Sequence, residues 1–456
     1  MSEFVDIEIT PTGFPSDHLE ASVPADKSIS HRAAMFAGLG RGVQQIPNYP
    51  LGDDNQRTLD VMAALGADIT QSDRDAGKQS IAISGIAGQP GVTQAMLFCG
   101  NSGTTARLSM GFCAGFDGAW TFDGDASLRR RPMARVIDHL VAMGADVRAT
   151  PKSEAPGFLP LTLLGGPLRP YRMINHRRSA QVKSALLLAA LTGRTEVEIV
   201  EPVLSRDHTE RFLRHCGYPL QMETGDDGET RLRLHADGVR HDNAPELLLP
   251  GDPSSAAFWA ALAAGVEHPV RIPGVCVNPT RTGFFDALVR MGARIERSPV
   301  AETPEPVADL IVSGGLAHGV TVAGNEVVAA IDELPLLALL GMFLPAGECV
   351  EIRDAGELRV KETDRIEAVA QVVRAFGGEV ETGADWLRVS GHRDVRSAGP
   401  VEIDALHDHR IAIGGAIAAL IARRPLRVKG GGVADISYPQ FWQQLVDSGL
   451  ADVRAG

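Results

Sequence analysis

Gly100-Asn101-Ser102-Gly103-Thr104-Thr105-Ala106-Arg107 runs directly into an apolar stretch, Leu108 to Phe116. Small residues let a ligand approach the backbone closely, and hydroxyls with free N–H groups at a helix start make a seat for an anion. Arg107, about one turn in, adds a planar cationic fork. A plain N-cap on a buried helix would use the same Asn, Ser and Thr residues, so the stretch alone leaves both readings open. No Gly-Lys-Ser or Gly-Lys-Thr ending is present, which argues against a nucleotide P-loop. The rest of the chain decides, because it repeats the pattern.

Six helix starts share this design, near Ser28, Ser102, Ser179, Ser254, Glu333 and His409. The step between them is roughly 75 residues, longer than the common solenoid periods. Each leads into an Ala/Leu/Gly-rich run that is apolar nearly all round and therefore predicts a buried helix. Between them lie six more amphipathic helices, such as Asp53 to Leu65, Ala134 to Met143 and Asp207 to Cys216. Most end at a glycine (Gly66, Gly144, Gly217, Gly292, Gly377, Gly449), the usual left-handed cap. Short β-like segments follow, among them Asp146 to Ala149 and Glu379 to Glu381. The pattern is α/β, with six units divided three and three at a boundary near Ala244–Pro250.

A chain of 456 residues is too long for one hydrophobic core. Its 44% apolar and 22% charged content is that of an ordinary globular protein. A net charge of −13 disfavours nonspecific nucleic-acid binding. Five cysteines without pairing or metal-ligand spacing fit a reducing compartment. Met1 to Asp17 lacks an apolar signal core, and Ile411 to Ala422 is shorter than the roughly 20 residues a bilayer span needs. The expectation is a cytoplasmic protein with no membrane partner.

The charged residues cluster at the helix starts. Ala25-Asp26-Lys27-Ser28-Ile29-Ser30-His31-Arg32 places Lys27 and Ser28 at the cap and Arg32 four residues after Ser28, on one face. A lysine there opposes the helix dipole, which a bound anion would explain. Gly124 to Pro132 carries three consecutive arginines, Arg129, Arg130 and Arg131. Arg178-Ser179-Ala180-Gln181-Val182-Lys183-Ser184 offers neutral and cationic donors, whereas Ser205-Arg206-Asp207-His208-Thr209 is explained by capping alone. In the second half, Ile331-Asp332-Glu333-Leu334-Pro335 puts two carboxylates before an apolar helix. Arg359-Val360-Lys361-Glu362-Thr363-Asp364-Arg365 packs five charges into seven residues, and Glu362 between Lys361 and Arg365 reads as an acid/base group with a tunable pKa. Asp408-His409-Arg410 opens the last buried helix; His407 and His409 alone do not make a metal site. Five of six buried helices thus carry Lys or Arg near the start of an acidic chain. If those ends converge, a multiply charged anion is the natural occupant.

Taken together and in order, these motifs resemble the 5-enolpyruvylshikimate-3-phosphate synthase (3-phosphoshikimate 1-carboxyvinyltransferase) family of enolpyruvyl transferases over essentially the whole chain. They are Asp26 to Arg32, Gly100 to Thr104, Arg131-Pro132, Ser179-Ala180-Gln181, Lys361 to Arg365 and Asp408-His409-Arg410. The resemblance implies two similar domains, each of three βαβαββ units around buried parallel helices, an inside-out α/β barrel. It assigns 1–24 and 247–456 to one domain and 25–246 to the other, with the active site in the cleft between them and closure on substrate. It implies transfer of the enolpyruvyl group of phosphoenolpyruvate to the 5-hydroxyl of shikimate 3-phosphate, by a monomer and without metal or organic cofactor. Each phosphate brings about −1.5 to −2 charges, in keeping with the cationic helix starts.

Carried over residue by residue, Lys27, Ser28, Arg32, Ser179, Ala180, Gln181, Ser205, Arg206, Asp332 and Lys361 would hold shikimate 3-phosphate. Lys27, Asn101, Gly103, Arg131, Gln181, Arg365 and Arg410 would hold phosphoenolpyruvate, Lys27 bridging both substrates. Glu362 would exchange the proton at carbon, Asp332 would take the hydroxyl proton, and Lys27 would act as general acid and charge stabiliser. There are departures from the family pattern. Ala180 stands where some members have a second serine, with Lys183 a candidate replacement contact. Ile436 stands where some have a lysine, and Arg129 competes with Arg131 for the loop arginine. The resemblance also implies inhibition by glyphosate in competition with phosphoenolpyruvate, with Gly103 lining its site. The rival readings are an enolpyruvyl transferase acting on UDP-N-acetylglucosamine, disfavoured because Gly124 to Pro132 has no cysteine, and a non-catalytic anion binder, disfavoured by intact Asp332 and Glu362.

Overall fold

The computed structural model describes residues 4–14, 19–50, 52–72, 79–153, 155–236, 247–392, 395 and 399–456. Residues 244–246 of the boundary read from the sequence lie outside them. The chain forms two compact units, Met1–Pro24 with Pro250–Gly456, and Ala25–Leu249.

Six core helices begin where the polar residues meet the apolar runs: α1 Lys27–Leu39, α2 Gly103–Ala114, α3 Ala180–Thr192, α4 Pro253–Val266, α5 Leu334–Leu340 and α6 His409–Ala422. Side-chain caps fix five of these starts. Asp26 accepts from the Ile29 N–H at 2.8 Å, Ser102 from Thr105 at 3.1 Å, and Ser179 from Val182 at 3.4 Å. Asp252 accepts from Ser254 at 2.7 Å and Asp408 from Arg410 at 2.9 Å. Such a cap contributes about 1 kcal/mol. The first helix is therefore capped by Asp26 rather than by Lys27 or Ser28, because the carboxylate reaches the third N–H while Lys27 already lies inside the first turn. The α5 start at Glu333 has no side-chain cap, and the helix tightens after seven residues into a 3₁₀ turn, Gly341–Phe343.

Four of the core helices, α2, α3, α5 and α6, lie between two parallel strands, and a second helix then leads on to an antiparallel pair; α1 leads instead into Val43–Tyr49, which pairs antiparallel with Gln79–Ser84, and α4 into Val270–Cys276. Gln94–Phe98 and Gly118–Asp123 are parallel and flank α2; Ala134–Met143 then leads to Asp146–Ala149 and Leu161–Gly165. The helix Ala134–Met143 buries Val136, Ile137, Leu140 and Met143, one stripe at helical spacing, and ends at Gly144 with φ of 118°. The same spatial order recurs in Tyr171–Ile174, Glu196–Glu201, Thr230–His235, Leu220–Thr224, and again in Val320–Val322, Cys349–Ile352, Leu387–Ser390, Glu379–Thr382. Strand Thr230–His235 alternates inward Thr230, Leu232 and Leu234 with outward Arg231, Arg233 and His235, the period of a sheet covered on one face.

The beginning of the chain completes two sheets of the other unit. Leu19–Glu20 lies parallel to Val270–Cys276. Ile7–Pro11 inserts antiparallel between Leu426–Lys429 and Ala451–Ala455, so the first strand fills the place that the fourth strand takes elsewhere. Residues 1–24 thus belong with the second half because its sheets would otherwise leave unpaired edges.

Close approach of α2 and α3 depends on missing side chains, that of Gly111 in the middle of α2 among them. A Cβ on Gly111 would stand 2.0 Å from the Ala185 carbonyl oxygen and 2.6 Å from Ala185 Cα. Backbone cannot yield as a flexible side chain can. Gly111→Ala is expected to lose about 1–3 kcal/mol of stability by overpacking, read as a lowered midpoint in thermal unfolding; an unchanged midpoint would show that the two helices have room.

Candidate active site

In the unit of residues 25–249, Lys27 opens α1 and its Nζ lies 3.0 Å from Asp54 Oδ2. Asp54 is held in turn by the loop Gly100 to Arg107: Thr105 Oγ1 lies 3.2 Å from the Asp54 carbonyl and 2.8 Å from Ser102 Oγ. Asn55 Nδ2 donates to the Lys27 carbonyl at 3.0 Å. The starts of α1 and α2 are therefore tied through one acidic turn, Asp53-Asp54-Asn55, read from the sequence only as the start of an amphipathic helix.

Behind Lys27, His31 is fully buried, with Nδ1 2.7 Å from Thr58 Oγ1, itself 2.8 Å from Thr105 Oγ1. Burial drives its pKa down from 6.5 to about 3, despite Asp54. The unfolded chain takes up a proton at His31 near pH 6.5 and the native chain does not. Its contribution to stability is full above that pH and erodes as pH falls towards 3. His31→Phe is expected to flatten the fall of the unfolding midpoint between pH 6.5 and 4 relative to the parent protein; identical slopes would show that His31 protonates in the fold.

Arg131 faces Asn101. Its Nη2 donates to Asn101 Oδ1 at 2.9 Å and its Nη1 to the Asn101 carbonyl at 3.4 Å. Arg129 points away, its Nε and Nη2 gripping Asp123 at 2.8 and 2.7 Å, and Arg130 is exposed. Burial would raise the Asp123 carboxyl; the Arg129 fork and the Gly124 N–H outweigh it and hold it below the usual range. Of the three arginines, only Arg131 reaches the glycine loop. Arg107, absent from the family-derived set, donates to Gln181 Oε1 at 2.9 Å and the Pro132 carbonyl at 3.3 Å. Gln181 Nε2 donates to Thr104 Oγ1 at 3.1 Å. Asn101, Gly103, Arg107, Arg131 and Gln181 form one cluster over the start of α2.

The remaining residues of this unit surround α3. Arg32 is 4% exposed, donating from Nε to Thr209 Oγ1 and from Nη2 to Ser184 Oγ, each at 2.7 Å, and from Nη1 to the Ser28 carbonyl at 2.8 Å. Ser28, Ser179, Ala180 and Arg206 are half-buried. Two sequence readings change here. Lys183 is no replacement contact for the position of Ala180: one turn inside α3, it is fully buried between Glu201 Oε2 and Glu210 Oε1, both 2.6 Å away. Burial alone would lower its pKa, but those two carboxylates raise it, so it stays charged. Ser205 is 1% exposed and donates its hydroxyl to Glu201 Oε1 at 2.6 Å, so that hydrogen is not offered to a ligand.

In the unit of residues 1–24 and 250–456, Arg365 opens the helix Arg365–Ala375 and is 1% exposed. It meets three carboxylates: Asp408 Oδ2 at 2.8 Å from Nε, Glu362 Oε2 at 2.6 Å from Nη2, and Asp332 Oδ1 at 3.4 Å from Nη1. Lys361 Nζ also lies 3.4 Å from Asp332 Oδ1. Burial would lower the Arg365 pKa; Asp408, Glu362 and Asp332 outweigh it and raise it, fixing the charge. Glu362 and Asp332 thus face one guanidinium, and both keep partial solvent access, at 27% and 17% of the side chain. Arg410 follows Asp408, with Nη2 3.4 Å from Ser254 Oγ and Nη1 3.8 Å from Glu333 Oε1. Ser254 Oγ bonds Glu333 and receives Arg281 Nη2 at 3.1 Å. Glu333 was read from sequence as a carboxylate before an apolar helix and Asp408 as part of the motif that opens the last buried helix; their pairing with arginines needs the fold.

This set of groups meets a family comparison. The profile described as EPSP synthase (3-phosphoshikimate 1-carboxyvinyltransferase) matches residues 17–445. The chain belongs to that family. A 3-phosphoshikimate 1-carboxyvinyltransferase of Desulfitobacterium hafniense is 40% identical, over 96% of this chain and 97% of the relative. One from Prochlorococcus marinus is 40% identical over 96% and 99%. A solved EPSP synthase from Acinetobacter baumannii superposes with a TM-score of 0.81 at 31% identity, covering 98% of this chain and 100% of its own. The chain is thus a transferase of the shikimate pathway, on the two-domain enolpyruvyl transferase fold. No helix among the described residues is long and apolar enough to cross a membrane.

Proposed function

We propose that this chain transfers the enolpyruvyl group of phosphoenolpyruvate to the 5-hydroxyl of shikimate 3-phosphate and releases phosphate. The observation that carries the reading is the group of Asp332 and Glu362 on the Arg365 guanidinium. The chemistry needs one group to exchange a proton with carbon and another to take a proton from oxygen. As the hydroxyl oxygen bonds to C2 of phosphoenolpyruvate, the methylene carbon gains a proton from Glu362, and Asp332 receives the hydroxyl proton. The tetrahedral adduct then returns a carbon proton to Glu362, and the C–O bond to phosphate breaks. Lys27 supplies charge, and a proton, to the departing phosphate. With Asp54 3.0 Å away, its ammonium is already positioned before substrate arrives.

In this reading Lys27, Ser28, Arg32, Ser179, Ala180, Gln181, Arg206, Asp332 and Lys361 hold shikimate 3-phosphate. Lys27, Asn101, Gly103, Arg131, Gln181, Arg365 and Arg410 hold phosphoenolpyruvate. The working unit is a single chain, in the cytoplasm, a compartment in keeping with five free cysteines. The test is phosphate release from phosphoenolpyruvate with each acceptor. Release dependent on shikimate 3-phosphate is expected; release only with UDP-N-acetylglucosamine, or with neither, would overturn the proposal.

The inhibitor response follows from Gly103. A Cβ there would stand 2.9 Å from Arg107 Nη1 and 3.6 Å from Arg131 Nη1. Arg107 is the flexible end of a long side chain, so it can yield, though at the expense of its bond to Gln181. Gly103→Ala should therefore fold, and should raise the inhibition constant of glyphosate by more than the KM of phosphoenolpyruvate, the smaller occupant. Equal changes in both constants would remove Gly103 from the pocket.

A further inference from the structure

Two segments that carry residues this reading gives to shikimate 3-phosphate, Ser179 to Gln181 and the turn Ser205-Arg206, are separate in sequence but share one buried anchor. Glu201 ends the strand Glu196–Glu201 with its side chain fully buried. Its Oε1 accepts from Asn175 Nδ2 at 2.7 Å and from Ser205 Oγ at 2.6 Å, while its Oε2 faces Lys183 Nζ at 2.6 Å. Asn175, 3% exposed, passes the constraint on: its Oδ1 accepts from the Ser179 N–H at 3.1 Å and its Nδ2 lies 3.3 Å from the Ser179 carbonyl. Between them Arg178 is held at φ of 53°, a conformation that a residue with a side chain adopts only when its surroundings impose it. On the other side Lys183 Nζ reaches the Ser205 carbonyl at 3.2 Å.

We propose that Glu201 is a positioning residue for shikimate 3-phosphate. One carboxylate, kept in place by Lys183, sets the α3 start through Asn175 and the Ser205-Arg206 turn through the Ser205 hydroxyl. Ser205 therefore serves the site by orienting the backbone next to Arg206, its own hydrogen being committed to Glu201. This rests on the assignment of Ser179 and Arg206 to that substrate. A buried carboxylate with three donors from three segments sets the separation of those segments, and none of its own atoms needs to touch the ligand.

The test compares variants by steady-state kinetics with each substrate varied. Glu201→Gln keeps the shape but sets an amide against donors, and is expected to raise the KM for shikimate 3-phosphate about tenfold or more, with kcat and the KM for phosphoenolpyruvate changed by less than about threefold. Asn175→Ala and Ser205→Ala leave the Lys183–Glu201 pair intact and cut one link each. Each should raise the same KM, and in the Glu201→Gln background each should add little. If Glu201→Gln does not fold, these two decide. Loss of kcat with an unchanged KM for shikimate 3-phosphate, or an equal rise in both KM values, would show a merely structural carboxylate and overturn the proposal. Ser179→Ala and Arg206→Ala separate the two levels of the argument. If these leave the KM for shikimate 3-phosphate unmoved, the site assignment fails; if they raise it while Asn175→Ala and Ser205→Ala do not, only the role of Glu201 fails.

Discussion

Turnover of Glu362→Gln should fall by about 10²–10⁴-fold, the usual contribution of a general acid–base group, while shikimate 3-phosphate still binds with nearly the parent affinity. The amide keeps the length and shape of the side chain and can still accept from Arg365 Nη2, now 2.6 Å away. It cannot deliver a proton to carbon or take one back. The parent carboxyl can do both, and its 27% side-chain exposure leaves the oxygen accessible. Single-turnover rates with binding measured separately check this. A rate within tenfold of the parent would take Glu362 out of the proton transfer.

The architecture was legible because its repeat is written in two local codes. A polar cap followed by an Ala/Leu/Gly run can only be a buried helix, and all six core helices begin within two residues of the expected starts. Ala134–Met143 and Asp146–Ala149 fall where the sequence put a helix and a strand. What sequence could not supply is direction. Lys183 and Lys27 both read as cations at a helix start, yet Lys183 lies on the inward face between Glu201 and Glu210 and Lys27 keeps solvent access. Arg129 and Arg131 differ by two positions in one short loop. Whether either reaches Asn101 depends on the path of that loop past Asp123. The pairing of Asp54, Glu201 and Glu333 was invisible for a common reason. Each is an ordinary carboxylate whose partner is a cation distant in the chain, and only the packing of core helices makes the pair.

Removing the Arg365 guanidinium should have the largest effect on stability. Asp408 is fully buried, caps α6 through the Arg410 N–H, and has Arg365 Nε at 2.8 Å. Arg365→Met fills similar space but leaves Asp408 charged in a site that water does not reach, with Glu362 and Asp332 left facing each other without the cation between them. Deleting one partner of a buried ion pair costs about 3–5 kcal/mol, because the other charge stays behind. For a unit of this size that lowers the thermal midpoint by roughly 6–20 °C. The loss comes from the stranded charge rather than from a missing attraction, so a second change should return much of it. Asp408→Asn, added to Arg365→Met, keeps an oxygen for the Arg410 N–H and removes the charge. The double variant is expected to melt well above Arg365→Met while staying inactive, because neither substitution restores the guanidinium that Glu362 and Asp332 share. A double variant no more stable than Arg365→Met would show that the guanidinium stabilises the fold by packing, and that Asp408 tolerates burial without it.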